Sequence, residues 1–118
     1  MSVSLSWERQ ATHVVVRLSG SPSLEQVLPA LDAIATATRG DALLLVDMRG
    51  IDTLLAFTDQ FALGQAAAEK LRHLRRVASV VAPDRLTRNS ERPARKQGMD
   101  LRVFTSEAEA LVWLLEQP

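Results

Sequence analysis

Residues 42–48, ALLLVDM, constrain this chain more than any other stretch. The run is apolar apart from Asp47, too short for a core helix and bounded by turn residues, which is the pattern of a strand covered on both faces. Such a strand needs other strands beside it and helices above and below. With 118 residues and 47% hydrophobic content, the chain has material for one core-bearing domain over 1–118 and none for a second.

Around that centre the chain punctuates itself. Val3, Leu5 and Trp7 alternate with Ser4 and Ser6, and Val14, Val16 and Leu18 alternate with His13, Val15 and Arg17, so two half-buried strands joined across Glu8–Thr12 form an antiparallel hairpin closed by Gly20. Ser23 and Gln26 make a capping box for a helix with its stripe on Leu24, Val27, Leu28, Leu31, Ile34 and Ala35. Pro29 predicts a kink, or a start nearer Val27, and Gly40 a stop. After the central strand, Thr58 is the expected N-cap of a helix with its stripe on Leu63, Ala66, Ala67, Leu71 and Leu74. The run VASVVA, 77–82, is a strand stopped by Pro83, and a third helix is expected over Asp84–Gln97, interrupted by Pro93 and ended by Gly98. Leu101–Phe104 is a last strand, and Ser106 with Glu109 caps a closing helix with Ala108, Leu111, Val112 and Leu115 on one face. The predicted order is ββαβαβαβα, an α/β domain with a mixed, mostly parallel sheet.

Several function classes fall to the inventory. The chain has no cysteine, so there is no disulfide framework, thiolate nucleophile or Cys-held metal. His13 and His73 stand sixty residues apart without a metal-binding spacing, Ser79 lies within a strand rather than on a GxSxG elbow, and no Gly-rich loop could cradle a nucleotide phosphate. We therefore expect no catalysis, no metal and no cofactor. The N-terminus lacks a signal-peptide pattern and no run could span a membrane, which predicts a soluble, cytoplasmic protein. Net charge is zero, yet residues 70–96 hold nine of the 14 basic side chains and only Asp84 and Glu91 among the acids, a local charge of +7. Arg85, Arg88, Arg92, Arg95 and Lys96 are thus candidates for binding an anion. The segment carries no aromatic residue to stack on bases, which argues against nucleic acid.

The hairpin, the LPAL of the first helix (28–31), the strand ending VDMRG (46–50) and the C-terminal GMDLRVFTSEAEALVWL from Gly98 together resemble the small SpoIIAA-like, or STAS-like, bacterial domains over nearly the whole chain. The resemblance implies a mixed sheet with packed helices and a role in binding rather than catalysis, such as anti-sigma factor antagonism or attachment to transporters. A related branch is compared with lipid-binding SEC14-type folds. Regulatory members carry a phosphorylatable serine in a DSSG-type motif at the start of the helix after the central strand. Here Leu55, Ala56 and Phe57 stand at the Asp-Ser-Ser positions, and Thr58 is the nearest hydroxyl and the candidate phospho-acceptor. A phosphate there would meet the free amides of a helix N-terminus.

The expected contact surface is the rim after the central strand: Asp47, Arg49, Asp52, Thr53, Leu54, Leu55, Phe57, Thr58 and Asp59, with Ala82, Pro83, Asp84 and Thr105 sharing it. Asp47 is expected to accept loop amides, and Arg49 to pair with Asp47 or Asp52. Leu54–Phe57 either tuck under the sheet or form an adhesive patch. The first reading is a regulatory module binding a protein partner through this loop, and a homodimer is left open. The alternative is a carrier for a small molecule or lipid, which requires an apolar pocket beneath the loop. Weak anion or nucleic-acid binding by the third helix is the remaining reading.

Overall fold

The computed structural model describes residues 3–52, 56–85 and 91–116. They form β1 (Val3–Arg9), β2 (Val14–Gly20), α1 (Leu24–Ala37), β3 (Leu43–Ile51), α2 (Phe57–Lys70), β4 (Arg76–Val80), a 3-10 turn (Pro83–Arg85), α3 (Glu91–Lys96), β5 (Leu101–Phe104) and α4 (Glu107–Leu114). The sheet runs β1-β2-β3-β4-β5, with β1 antiparallel to β2 and every other pair parallel. The order ββαβαβαβα and the mixed sheet are as the sequence predicts, with the apolar run at the centre.

Strand order dictates where the helices go. Parallel neighbours are joined by right-handed crossovers, and here each crossover steps the same way across the sheet, so α1, α2 and α3 all fall on one face. On that face Val14, Val16, Leu18, Leu44 and Val77 pack with Leu31, Ile34, Ala68, Leu71, Ala94 and Met99. Only α4, emerging after the last strand, is left to cover the other face, where Val15, Leu43, Leu45, Ala78 and Val80 meet Ala110 and Leu114. β3 therefore feeds alternate residues to two cores, which is why it reads as an unbroken apolar run.

Local signals were realised with differences that have physical causes. α1 begins at Leu24, with the Gln26 side chain accepting from the Ser23 amide at 3.0 Å, and it carries the exposed Pro29 within it rather than starting near Val27. Buried Thr38 closes α1, its hydroxyl donating to the Ile34 carbonyl at 2.8 Å, and a hydrogen bond of 2.9 Å between that hydroxyl and His73 Nε2 ties α1 to the turn after α2. The N-cap of α2 is Ala56, not Thr58, which lies exposed in the first turn. Of the helix expected over Asp84–Gln97, the described residues form a 3-10 turn over Pro83–Arg85 and α3 over Glu91–Lys96, and residues 86–90 lie outside them. Pro93 does not interrupt α3; it occupies the first turn, where its missing amide hydrogen is not needed, and it is buried with Ala94.

Two faces were assigned differently from the sequence pattern. On α4 the buried residues are Ala110 and Leu114, whereas Ala108 is exposed, Val112 is 71% exposed and Leu115 40%. The helix is apolar almost all round, so periodicity could not select its phase. Trp7 is 41% exposed rather than half-buried, because the α1–α3 layer packs on Val3 and Leu5 but leaves the lower end of the edge strand open.

Candidate functional site

The rim starts from an irregularity in β3. Arg17 pairs with Asp47 and Ser19 with Gly50, so β3 spends an extra residue between those two partners, a bulge. The VDMRG stretch is strand throughout, as its resemblance implies, and the strand runs one residue further, to Ile51. Gly50 is there because the β2 backbone comes close: a Cβ would lie 2.9 Å from the Leu18 carbonyl oxygen and 3.0 Å from the Ser19 Cβ.

The bulge lets Arg49 fold back over Asp47. The Asp47 Oδ1 accepts from the Arg49 amide at 3.0 Å and from Nε at 2.9 Å, and Oδ2 accepts from Arg49 Nη2 at 3.0 Å and Arg17 Nη1 at 2.7 Å. Glu107, the first residue of α4, accepts from Arg17 at 2.8 and 3.2 Å and from Arg49 at 2.6 Å. Arg17 Nε also donates to Glu8 of β1 at 2.6 Å. One charge network thus fastens β1, β2, β3 and the start of α4. Burial disfavours the Asp47 carboxylate, but the side-chain and amide hydrogen bonds from Arg49, reinforced by Arg17, outweigh it and hold its pKa at about 2. Glu107 is held below its usual range mainly by Arg17, with burial opposing. Arg17 is raised by Glu107, Glu8 and Asp47, and Arg49 by Asp47.

Of the expected contact residues, Asp47 is buried and fully engaged by arginines, so it is scaffold to the rim. Arg49 pairs with Asp47, as expected, and with Glu107; no Asp52 pairing is seen. Asp52 is exposed and its amide donates to the Gly20 carbonyl at 2.8 Å. Thr58 is exposed and Asp59 half-buried in the first turn of α2. Thr53, Leu54 and Leu55 and the side chain of Phe57 lie outside the described residues, as do Arg88 and the side chain of Arg85. Arg92 and Lys96 are exposed on α3, while Arg95 pairs with Asp100 at 3.4 Å. Among the described residues no group of three or more His, Asp or Glu could hold a metal, and no helix is long and apolar enough to cross a membrane.

Sequence reading missed Glu8, Arg17 and Glu107. Arg17 had a signal: a lone charge inside a strand flanked by Val16 and Leu18 requires a partner. Glu107 had none, since its partners lie 90 and 58 residues away. The opposite face holds a feature that the sequence left open, an apolar cavity of about 80 Å³, partly open to solvent. Val46, Met48, Val77 and Ser79 floor it and α1 and α2 roof it, with small residues Ala30, Gly64 and Ala67 facing the space. Among the described residues Ser79 is its one polar side chain, and its hydroxyl donates to Met48 Sδ at 3.5 Å.

Comparisons with known proteins agree with this architecture. A family model described as SpoIIAA-like matches residues 13–115. Two crystal structures are similar, each with a TM-score of 0.60. One is an anti-sigma factor antagonist from Mycobacterium paratuberculosis, 16% identical, covering 98% of this chain and 96% of its own. The other is an uncharacterised protein with a SpoIIAA-like fold from Shewanella loihica, 18% identical, covering 96% of this chain and 93% of its own. At these identities the likeness is one of fold. No curated protein matches the chain.

Proposed function

Because this chain belongs to the SpoIIAA-like family, we propose that it is a non-catalytic regulatory module that binds another protein, using the rim where β3 ends and α2 begins. The fold it shares with an anti-sigma factor antagonist supports a binding role. The observation that carries the placement is a contrast in the site itself. The end of β3 is locked by the Asp47–Arg17–Arg49–Glu107 network, while beside it Asp52, Ala56, Thr58 and Phe61 are exposed. Exposed side chains on a rigid mount lose little entropy on binding. The contact set is Arg49, Asp52, Thr58 and Asp59, with Thr53, Leu54, Leu55 and Phe57 completing it and Phe61 one turn further along α2. Thr58 remains the candidate phospho-acceptor, and charge added there would fall within that set.

Capture from native lysate with wild type, Phe61→Asp and Val112→Lys tests the placement, because both altered residues are exposed but lie on opposite faces of the sheet. A partner retained by Val112→Lys and lost with a folded Phe61→Asp is the expected result. A partner lost only with Val112→Lys moves the contact to α4. The alternative reading, a carrier for a small molecule or lipid, draws on the cavity under α1 and α2.

A further inference from the structure

From the cavity's lining we infer that the face beneath α1 and α2 is a binding site for a small, neutral aliphatic molecule bearing one hydrogen-bond-accepting oxygen, with Ser79 as its polar anchor. The inference rests on the carrier reading and is independent of the partner contact. Three observations select the ligand. First, among the described residues the lining is apolar apart from Ser79, with Leu18, Val46, Val77 and Leu101 on the sheet and Val27, Leu31, Ile34, Leu63 and Leu71 on the helices, and holds no charged side chain. A carboxylate or ammonium would enter without a counter-charge and is excluded by its desolvation. Second, the volume of about 80 Å³ is roughly half that of an engineered cavity that takes benzene, so the enclosed part suits about three heavy atoms and its open side leaves room for one or two more. Third, the Ser79 hydroxyl is buried on the cavity floor and its acceptor is a thioether at 3.5 Å, a weak hydrogen bond that a carbonyl or hydroxyl oxygen would improve upon. An apolar cleft with one placed donor is a common form of a small-molecule site.

The space is kept by small residues. Ala30, Gly64 and Ala67 face it from α1 and α2, where one larger side chain would fill it. Met48, extending from the bulged end of β3, forms part of the same wall, and its flexible thioether can move aside when Ser79 turns to a ligand.

The test uses the full chain with 2-butanone as probe, butyrate as its charged counterpart and laurate as a long-chain lipid. Methyl NMR should show saturable shifts of Leu31, Leu63 and Met48 with 2-butanone, at least tenfold weaker binding of butyrate, a three- to tenfold loss in Ser79→Ala, and no binding in Ala67→Leu. If Ala67→Leu does not fold, Ala30→Val serves the same purpose. Absence of saturable shifts, equal affinity for butyrate, unchanged binding in Ser79→Ala, or unchanged binding in a folded cavity-filling variant would each overturn the inference. Laurate bound while 2-butanone is silent would overturn it and leave the carrier reading standing.

Discussion

Asp47 shows how a single residue can be set by its surroundings. Its side chain is 11% exposed, it sits in a strand feeding a hydrophobic core, and two arginines hold its pKa at about 2. The folded value lies below the roughly 3.9 of an unfolded aspartate, so its stabilisation is fully present above about pH 5 and is lost as pH falls towards 2. Asp47→Asn should therefore lower stability at pH 7 by roughly 2–3 kcal/mol, with the gap to wild type closing as the pH drops. Urea midpoints of both proteins at pH 7 and pH 3 measure this; a gap independent of pH would assign the loss to packing alone.

At the scale of elements, α4 is the most exposed to misreading and the most instructive. It is eight residues long and is the helix that covers the second sheet face. Polar clamps hold both ends: Glu107 on Arg17 and Arg49 at the start, and Arg76 donating to the carbonyls of Trp113 at 2.8 Å and Glu116 at 2.9 Å at the finish. The guanidinium groups of Arg76 and Arg102 also lie over the Trp113 ring, 5.3 and 5.6 Å from its centroid. Its burial phase separates two otherwise similar aliphatic positions. Leu114→Ala should cost roughly 2–5 kcal/mol and Val112→Lys less than about 0.5 kcal/mol. Thermal melts of the two variants decide whether the face predicted by periodicity or the observed one carries the packing.

For the molecule as a whole, the two cores share one sheet, and β3 contributes to both through Leu44 on one side and Leu43 and Leu45 on the other. Loss of either face exposes the same strand, so we propose that the cores unfold together as one domain. Replacing Trp7 by Phe leaves Trp113, in contact with Phe104 at 5.7 Å, as the sole tryptophan and a probe of the α4 face. Its fluorescence transition in urea should coincide with the far-ultraviolet circular dichroism of the whole chain. An earlier fluorescence midpoint would mean that α4 leaves first and that the faces are separable.

The elements, their order and the central place of residues 42–48 were legible in the sequence because they follow from short-range chemistry. Side-chain alternation, continuous apolar runs, Ser23 and Ser106 at helix starts, and glycines at the ends depend on neighbours a few residues away. The proposed contact rim, at the end of β3 and the start of α2, is read from the same local signals. What the tertiary structure alone decided was everything requiring two distant segments at once. The bulge that makes Gly50 a strand residue needs the β2 backbone beside it. The network on Asp47 needs Arg17 and Glu107, brought from 30 and 60 residues away. The phase of α4 needs a sheet face that one-directional crossovers have left bare. The cavity exists because α1 and α2, each with small residues at the seam, meet the sheet without closing over Ser79. Local pattern fixes a segment's conformation, whereas charge pairing, helix phase and empty space are properties of contacts between segments that no window of sequence contains.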